Sequence, residues 1–292
     1  MKNQSFPRKL GRRKIEEAFF KGLMHISTVI VIGSLLLIIG TIIWKSLPAL
    51  KLSMITQTPK GGYYLGKEGG ILNAIVGSLY LALGATILAI FLSLPVVLYL
   101  NMYTRKSSRI AVVTRLSFDV LWGIPSIVYG AFGFIIMIFI GLRASLLAGI
   151  ITVSLLELPI MSRAIDEVIR MVPNELKDAS YSLGATRLET SMKVVLRQCL
   201  PGILTAVLIA FGRGIGDAAS VIFTAGFTDR IPTSLLQPAA TLPLAIFFQL
   251  GTPFPEVQQR AYASAAVLTV IILLISIVSR FLIKKYTRHV IR

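Results

Sequence analysis

Six apolar runs follow one another along the chain, at about 24–47, 72–100, 117–142, 144–162, 200–226 and 261–283. Each is close to the ~20 residues that an α-helix needs to cross ~30 Å of hydrocarbon at ~1.5 Å per residue. The pattern predicts an all-α, polytopic membrane protein with six transmembrane helices. Basic residues precede the first run, as they would in a secretory signal. However, its apolar stretch from Ile26 to Ile43 exceeds a signal core, and Trp44, Lys45 and Pro48 stand where a cleavage site would need small residues. It reads as an uncleaved anchor.

Most connecting segments are short. The exception lies between the fourth and fifth runs, where "SRAIDEVIRMVPNELKDASYSLGATRLETSMKVVLRQCLPG" has a strongly helical composition. Pro173 suits the first turn of a helix, Glu175 complements its N-terminal dipole, and Gly184 is placed to end it in the left-handed conformation. Thr186-Arg187-Leu188-Glu189 then reads as a capping box that starts a second helix. The first of these helices sets Leu176, Ala179, Ser180 and Leu183 on one face at i, i+3, i+4 and i+7. Such a face either packs under the bundle or on the bilayer, or serves as a knob for a soluble partner. In the later loop 228–260, Pro243 is placed to begin a short helix against the outer face, either as a rigid interfacial anchor or as a docking site.

Composition agrees with a bilayer: of the 292 residues, 55% are hydrophobic and 15% charged, and the mean hydropathy is +0.78. The net charge of +17 would suggest nucleic acid in a soluble chain. Here the placement of the charge matters more than its sum. Seven basic residues precede the first run, four lie in 101–116, six in 163–197 and five from Arg280 onward, whereas the alternate loops are poor in them. By the positive-inside rule this puts both termini and the helical loop in the cytoplasm. No basic patch is interleaved with stacking aromatics, so a nucleic-acid role is not expected. The single cysteine, Cys199, rules out an internal disulfide. His25 and His289 stand at opposite ends, and no metal-ligand cluster is visible. Gly61 to Glu68 nearly spells a phosphate loop, but Glu68 replaces the hydroxyl that would hold magnesium, so ATP hydrolysis on this chain is not expected.

Within the fifth run, "GRGIGDAA" places Arg213 and Asp217 four apart. On a continuous helix these two would face the same way and pair. Each costs roughly 2.5–3.5 kcal/mol at the bilayer centre, so neither should face lipid. Gly212, Gly216 and Ser220 form a neighbouring stripe of small residues that admits another helix. The pair is therefore either an ion pair kept for structure or a site in a permeation path, where the planar guanidinium would meet a multiply charged oxyanion weakly enough to release it. Gly214 to Asp217 also matches the G-x-G-D element of intramembrane aspartyl proteases. Such a site needs a second aspartate sharing one proton, and Asp119 is the candidate near a membrane run. An arginine beside Asp217 works against that sharing.

"NELKDASYSLGATRLETSMKVVLRQCLPGI" resembles the EAA loop of ABC-importer permeases, with Asp178-Ala179-Ser180 in the place of the triplet and Gly184 as its glycine. Together with "GGILNAIVGSLYLALGATILAIFLSLPVVLYL", "WGIPSIVYGAFGF" and "GRGIGDAASVIFTAG" it is similar to the phosphate-transport permeases, and among them to the A-type (PstA-type) subunit, over about residues 70–290. Arg197 stands where that family usually has a proline, Pro201 is retained, and Asp217 replaces a usual glutamate. The resemblance implies a type I ABC-importer (MetI-like) permease in a prokaryotic cell (inner) membrane. It divides the chain into an N-terminal tail, first helix and external loop (1–70), a permease core (71–285) with its coupling loop at 163–199, and a tail (286–292). Arg213 and Asp217 are then implied in substrate passage, and Leu176, Asp178, Ala179, Ser180, Leu183 and Gly184 in coupling to an ATPase. The implied partners are a homologous permease (PstC-like), an ATPase dimer (PstB-like) that holds the ATP and magnesium, an external phosphate-binding protein (PstS-like), the lipid bilayer and inorganic phosphate. No cofactor, metal or catalytic residue is implied on this chain. Permeases for molybdate, sulfate or phosphonate would share the loop and read a different anion.

Overall fold

The computed structural model describes residues 8–60, 68–105 and 107–286. Five helices are long and apolar enough to cross a membrane, and a bent pair supplies a sixth crossing if its two halves are taken together. The first, α1 (Arg8–Ser46), starts well before the apolar run and carries it as one rod. Its apolar side chains, such as Leu36 and Leu37, are exposed, and it packs along the last long helix. A short α2 (Leu52–Thr56) and a two-residue ladder of β1 (Pro59–Lys60) with β2 (Glu68–Gly69) follow. Glu68 of the phosphate-loop-like stretch pairs with Lys60 in that ladder, and Gly61 to Lys67 lie outside the described residues, as do the 287–292 tail and His289.

The bundle is built on α3 (Leu72–Met102), α6 (Leu146–Arg170) and α9 (Leu196–Ile215), which pack on one another. Small residues make the approach possible, with Ala82, Ala85 and Ala89 of α3 and Ala206 and Ala210 of α9 all buried. One core cluster joins Val97, Met161, Ile165, Ile169, Val195 and Ile203 near the end of the bundle where α6 gives way to the helical loop. A second joins Leu81, Leu146, Ile150 and Val153 to Val221 and Ala225 nearer the other end.

Two of the predicted spans are not straight crossings. Over 117–142 the chain forms α4 (Arg109–Trp122) and α5 (Ser126–Phe139), bent by 104°. Proline at 125 has no N–H for the helix and disfavours helical backbone at Ile124, so the rod breaks at "GIP". The fifth run also stops short of the expected 226. The helix ends at Ile215, and the chain from Gly216 to Ala240 runs as turns and irregular backbone. Parts of that segment are buried in protein, which is the condition under which irregular backbone is tolerated at membrane depth. Val221, Thr224 and Ala225 are fully covered, Thr224 accepts from Ser145 N, Gln237 accepts from Leu146 N, and the Thr228 carbonyl accepts from Asn73 Nδ2.

The helical loop forms as its punctuation predicts. After Pro173, α7 (Asn174–Ser182) runs to a turn at Gly184, whose φ of +83° suits glycine. Thr186 and Glu189 close the capping box at α8 (Arg187–Glu189), with both reciprocal hydrogen bonds made. A π-helical turn (Thr190–Val195) continues directly into α9. Pro243 lies in the first turn of α10 (Leu242–Leu250), with Thr241 capping. This helix is more than a surface anchor: Leu242, Leu244 and Ala245 are buried, and it packs on α3 and on α11 (Pro255–Tyr286).

Candidate functional site

Arg213 sits in the last turn of α9, a turn spelled Gly212-Arg213-Gly214-Ile215. Its side chain is exposed and lines a cavity of about 240 Å³ with Leu121, Trp122, Ile124, Leu156, Ile160 and Ile209. The walls come from the α4–α5 bend, from α6 and from α9, and Arg213 supplies the one charge among these lining residues. Among the described residues it makes no ion pair or side-chain hydrogen bond. A cation left bare on an apolar helix face needs either water or a neighbouring chain, because contact with acyl chains would cost it ~2.5–3.5 kcal/mol.

The expected pairing of Arg213 with Asp217 does not form. It presupposes a helix that continues through 217, whereas α9 ends at Ile215 and Gly216 is its C-cap. Asp217 is half-buried, and its Oδ2 accepts from Ser220 N at 2.8 Å, tying the turn that follows the helix. The stripe of Gly212, Gly216 and Ser220 is divided by the same break, with Ser220 buried in the irregular segment. Asp119, the candidate second aspartate of a protease dyad, pairs with Arg163 Nε at 3.4 Å.

The residues expected to couple to an ATPase do not share one environment. Leu176 is packed on the bundle core beside Ile169 and Val172, and Ser180 Oγ meets Thr190 Oγ1 at 2.9 Å. These two hold α7 to the bundle. Asp178, Ala179, Leu183 and Gly184 are exposed, Leu183 to 89%. With Met171 and Leu188, also exposed, Leu183 gives this end of the molecule an apolar surface on a short, well-capped support.

Two features escape the sequence reading. Arg115 counts there only as part of a basic loop, yet it is buried in α4 and holds Asp166 of α6 in a bidentate pair, with Nε–Oδ2 at 2.9 Å and Nη2–Oδ1 at 3.1 Å. Asn101 and Arg170 complete the shell of Asp166. The second is Glu157, a lone carboxylate inside "SLLELPI", fully buried in mid-α6. An acid in an apolar run is itself a signal, and it stands in plain view in the fourth span.

A helical bundle with a broken span, a charged residue on an otherwise apolar face and an external capped elbow defines a membrane permease. A family model for the binding-protein-dependent transport system inner membrane component matches residues 85–292, and the chain belongs to that family. Within it the chain is of the PstA type. It is 32% identical to the phosphate transport system permease protein PstA of Haemophilus influenzae, over 92% of this chain and 94% of that one. It is also 32% identical to PstA of Yersinia pestis over 94% of each chain, and 34% identical to PstA 1 of Mycobacterium tuberculosis over 72% and 69%. Among solved structures it shares its fold with the inward-facing MetNI methionine ABC transporter, with a TM-score of 0.60, 19% identity, and coverage of 74% of this chain and 95% of that one.

Proposed function

We propose that this chain is the permease subunit of an ATP-driven importer of inorganic phosphate and supplies half of the translocation path. The carrying observation is Arg213, exposed and unpaired in a cavity at the α4–α5 bend. A guanidinium presents a fork of donors that meets phosphate oxygens two at a time and stays charged at any working pH. A face bearing such a group needs a cover, and a homologous, PstC-like permease provides it, leaving the path between the two. Asp217 serves the same site from behind, fixing the turn that ends the arginine's helix. Substrate arrives from an external PstS-like binding protein. ATP and magnesium are held by a PstB-like ATPase pair, and this chain performs no chemistry of its own.

The exposed Leu183, Ala179 and Asp178, with the Gly184 turn, form the contact for that ATPase, and Leu176 and Ser180 pass its movement to the bundle. By the positive-inside rule the basic segments support a cytoplasmic position for this elbow and both termini. Residues 1–70 then form an added first helix and external loop, 71–285 the permease core and 286–292 a tail. Replacing Arg213 with Ala is expected to abolish uptake of labelled phosphate while the complex still co-purifies intact. Normal uptake by that variant would refute the reading. Competition by molybdate, sulfate or phosphonate as strong as that by unlabelled phosphate would reassign the anion.

A further inference from the structure

Helix α6 carries two fully buried carboxylates, and they are treated in opposite ways. Asp166 accepts from Arg115 and Asn101 and pairs with Arg170. Glu157 has no ion pair among the described residues, and the polar group beside it is the hydroxyl of Thr86 on α3, which leaves both carboxyl oxygens short of a well-formed hydrogen bond. A buried polar group without a partner costs ~1–3 kcal/mol, and more if it is charged. That cost is offset if the carboxyl meets a cation in another arrangement of the chain.

The surroundings identify that partner. Glu157 Oε1 lies against the backbone of Gly214, so closely that a Cβ on residue 214 would overlap it. Arg213 is the preceding residue of the same turn. The nearest cation along α6, Arg163, is already engaged by Asp119 and Glu167, and α3 contains no cation. The neighbours of Glu157 on α6, Leu156 and Ile160, line the cavity that holds the guanidinium. Thus the two charges lie on either side of the last turn of α9, offset by about one residue, or ~100° of helix rotation. That turn is weak: Gly212 and Gly214 lie within it, each costing ~1 kcal/mol of helix stability, and the helix stops at Gly216.

We propose that Glu157 is the release partner of Arg213: as the last turn of α9 rotates during transport, the guanidinium passes from the anion in the cavity to the Glu157 carboxylate, freeing the anion and closing the emptied path. The exchange is favourable because a carboxylate offers the guanidinium the same bidentate geometry as a phosphate, so neither state becomes a trap. Glu157 acts through Arg213 and is a positioning residue, and the inference rests on the role of Arg213 proposed above.

The test is uptake of labelled inorganic phosphate by the assembled transporter in proteoliposomes, with KM and kcat measured separately. Removing the competitor should leave phosphate held longer, so E157Q is expected to lower both KM and kcat, by about tenfold each. E157D, which keeps the charge, should recover most of kcat. G214A repeats the test without touching the acid, because its methyl displaces the carboxylate, and the same paired fall is expected. Unchanged kinetics in E157Q and G214A, or a raised KM, would overturn the proposal, as would a complex that assembles with neither variant, since Glu157 would then be a requirement of the fold. If R213A still transports, the path reading itself fails. If R213A is inactive and E157Q normal, only the release role falls.

Discussion

Replacing Asp166 with Ala removes the acceptor at the centre of the α3–α4–α6 junction, and the structure shows where the cost falls. Asn101 keeps the Val97 carbonyl as acceptor for its Nδ2, and Arg170 is 40% exposed, so water replaces what it loses. Arg115 would keep only a long 3.5 Å bond from Nη2 to Asn101 Oδ1. Its side chain is 9% exposed, Asp166 takes both of its short bonds, and Nη1 has no partner even in the intact protein. A buried charge stripped of its counter-charge destabilises by ~3–5 kcal/mol, two to three and a half decades in the folding equilibrium. The fall should appear in unfolding of the purified protein in mixed detergent micelles. The same reasoning predicts that the double replacement R115M/D166V, which removes both charges and comes close to keeping the volume, recovers most of that loss, because burying a pair costs about as much desolvation as it returns. A double variant as unstable as D166A would refute the account, since the loss would then lie in the shape of the junction and not in an orphaned cation.

Two further outcomes concern the elbow. L183D places a charge on a side chain that is 89% exposed, so it should leave the stability of the isolated subunit within ~0.5 kcal/mol while preventing co-purification of the ATPase; retained association would exclude Leu183 from the contact. At Gly184 a side chain meets no atom within 4 Å, so any cost of substitution comes from its φ of +83°. G184N, which tolerates that region, should couple normally, whereas G184V, strained by roughly 1–2 kcal/mol, should lower phosphate-dependent ATPase activity; equal effects of the two would show that the backbone conformation is not what matters.

Local signals with a mechanism of their own were legible. Gly184, the Thr186–Glu189 box and Pro243 each act within a turn or two and stand where the sequence places them, and Pro173, expected in the first turn, sits just before it as the N-cap. The number of apolar runs was legible for a similar reason, since hydrocarbon thickness sets their length. What hydropathy cannot distinguish is a segment covered by lipid from one covered by protein, because both are apolar. Residues 216–226 continue the apolar run but form irregular chain in which Ser220, Val221, Thr224 and Ala225 are covered by protein, and the helix expected there ends at Ile215. The pairing of Arg213 with Asp217 failed with it, since spacing by four has meaning only on an unbroken helix. Arg115 shows the complementary case: counted as one of many charges that orient the chain, it is the one folded inside.

The distribution of burial along the spans indicates which of them can move. Most of α6 is covered by the rest of the chain, 72% of its apolar window, against 44% for α3, 33% for the helix ending in α9, 17% for α11 and none for α1. The same helix is tied to α3 and α4 through Asp166 and to the irregular segment through the amides of Ser145 and Leu146. An element fixed at both ends and covered between them is the frame against which others shift. The weakened features lie around it: the "GIP" break between α4 and α5, the π turn entering α9, and the three glycines at its exit. All three border the face that carries Arg213 or the helix that bears it. Under the proposed coupling, movement received at α7 would pass through Leu176 and Thr190 along α9 to the guanidinium, with α6 as the frame that holds Glu157 beside its end.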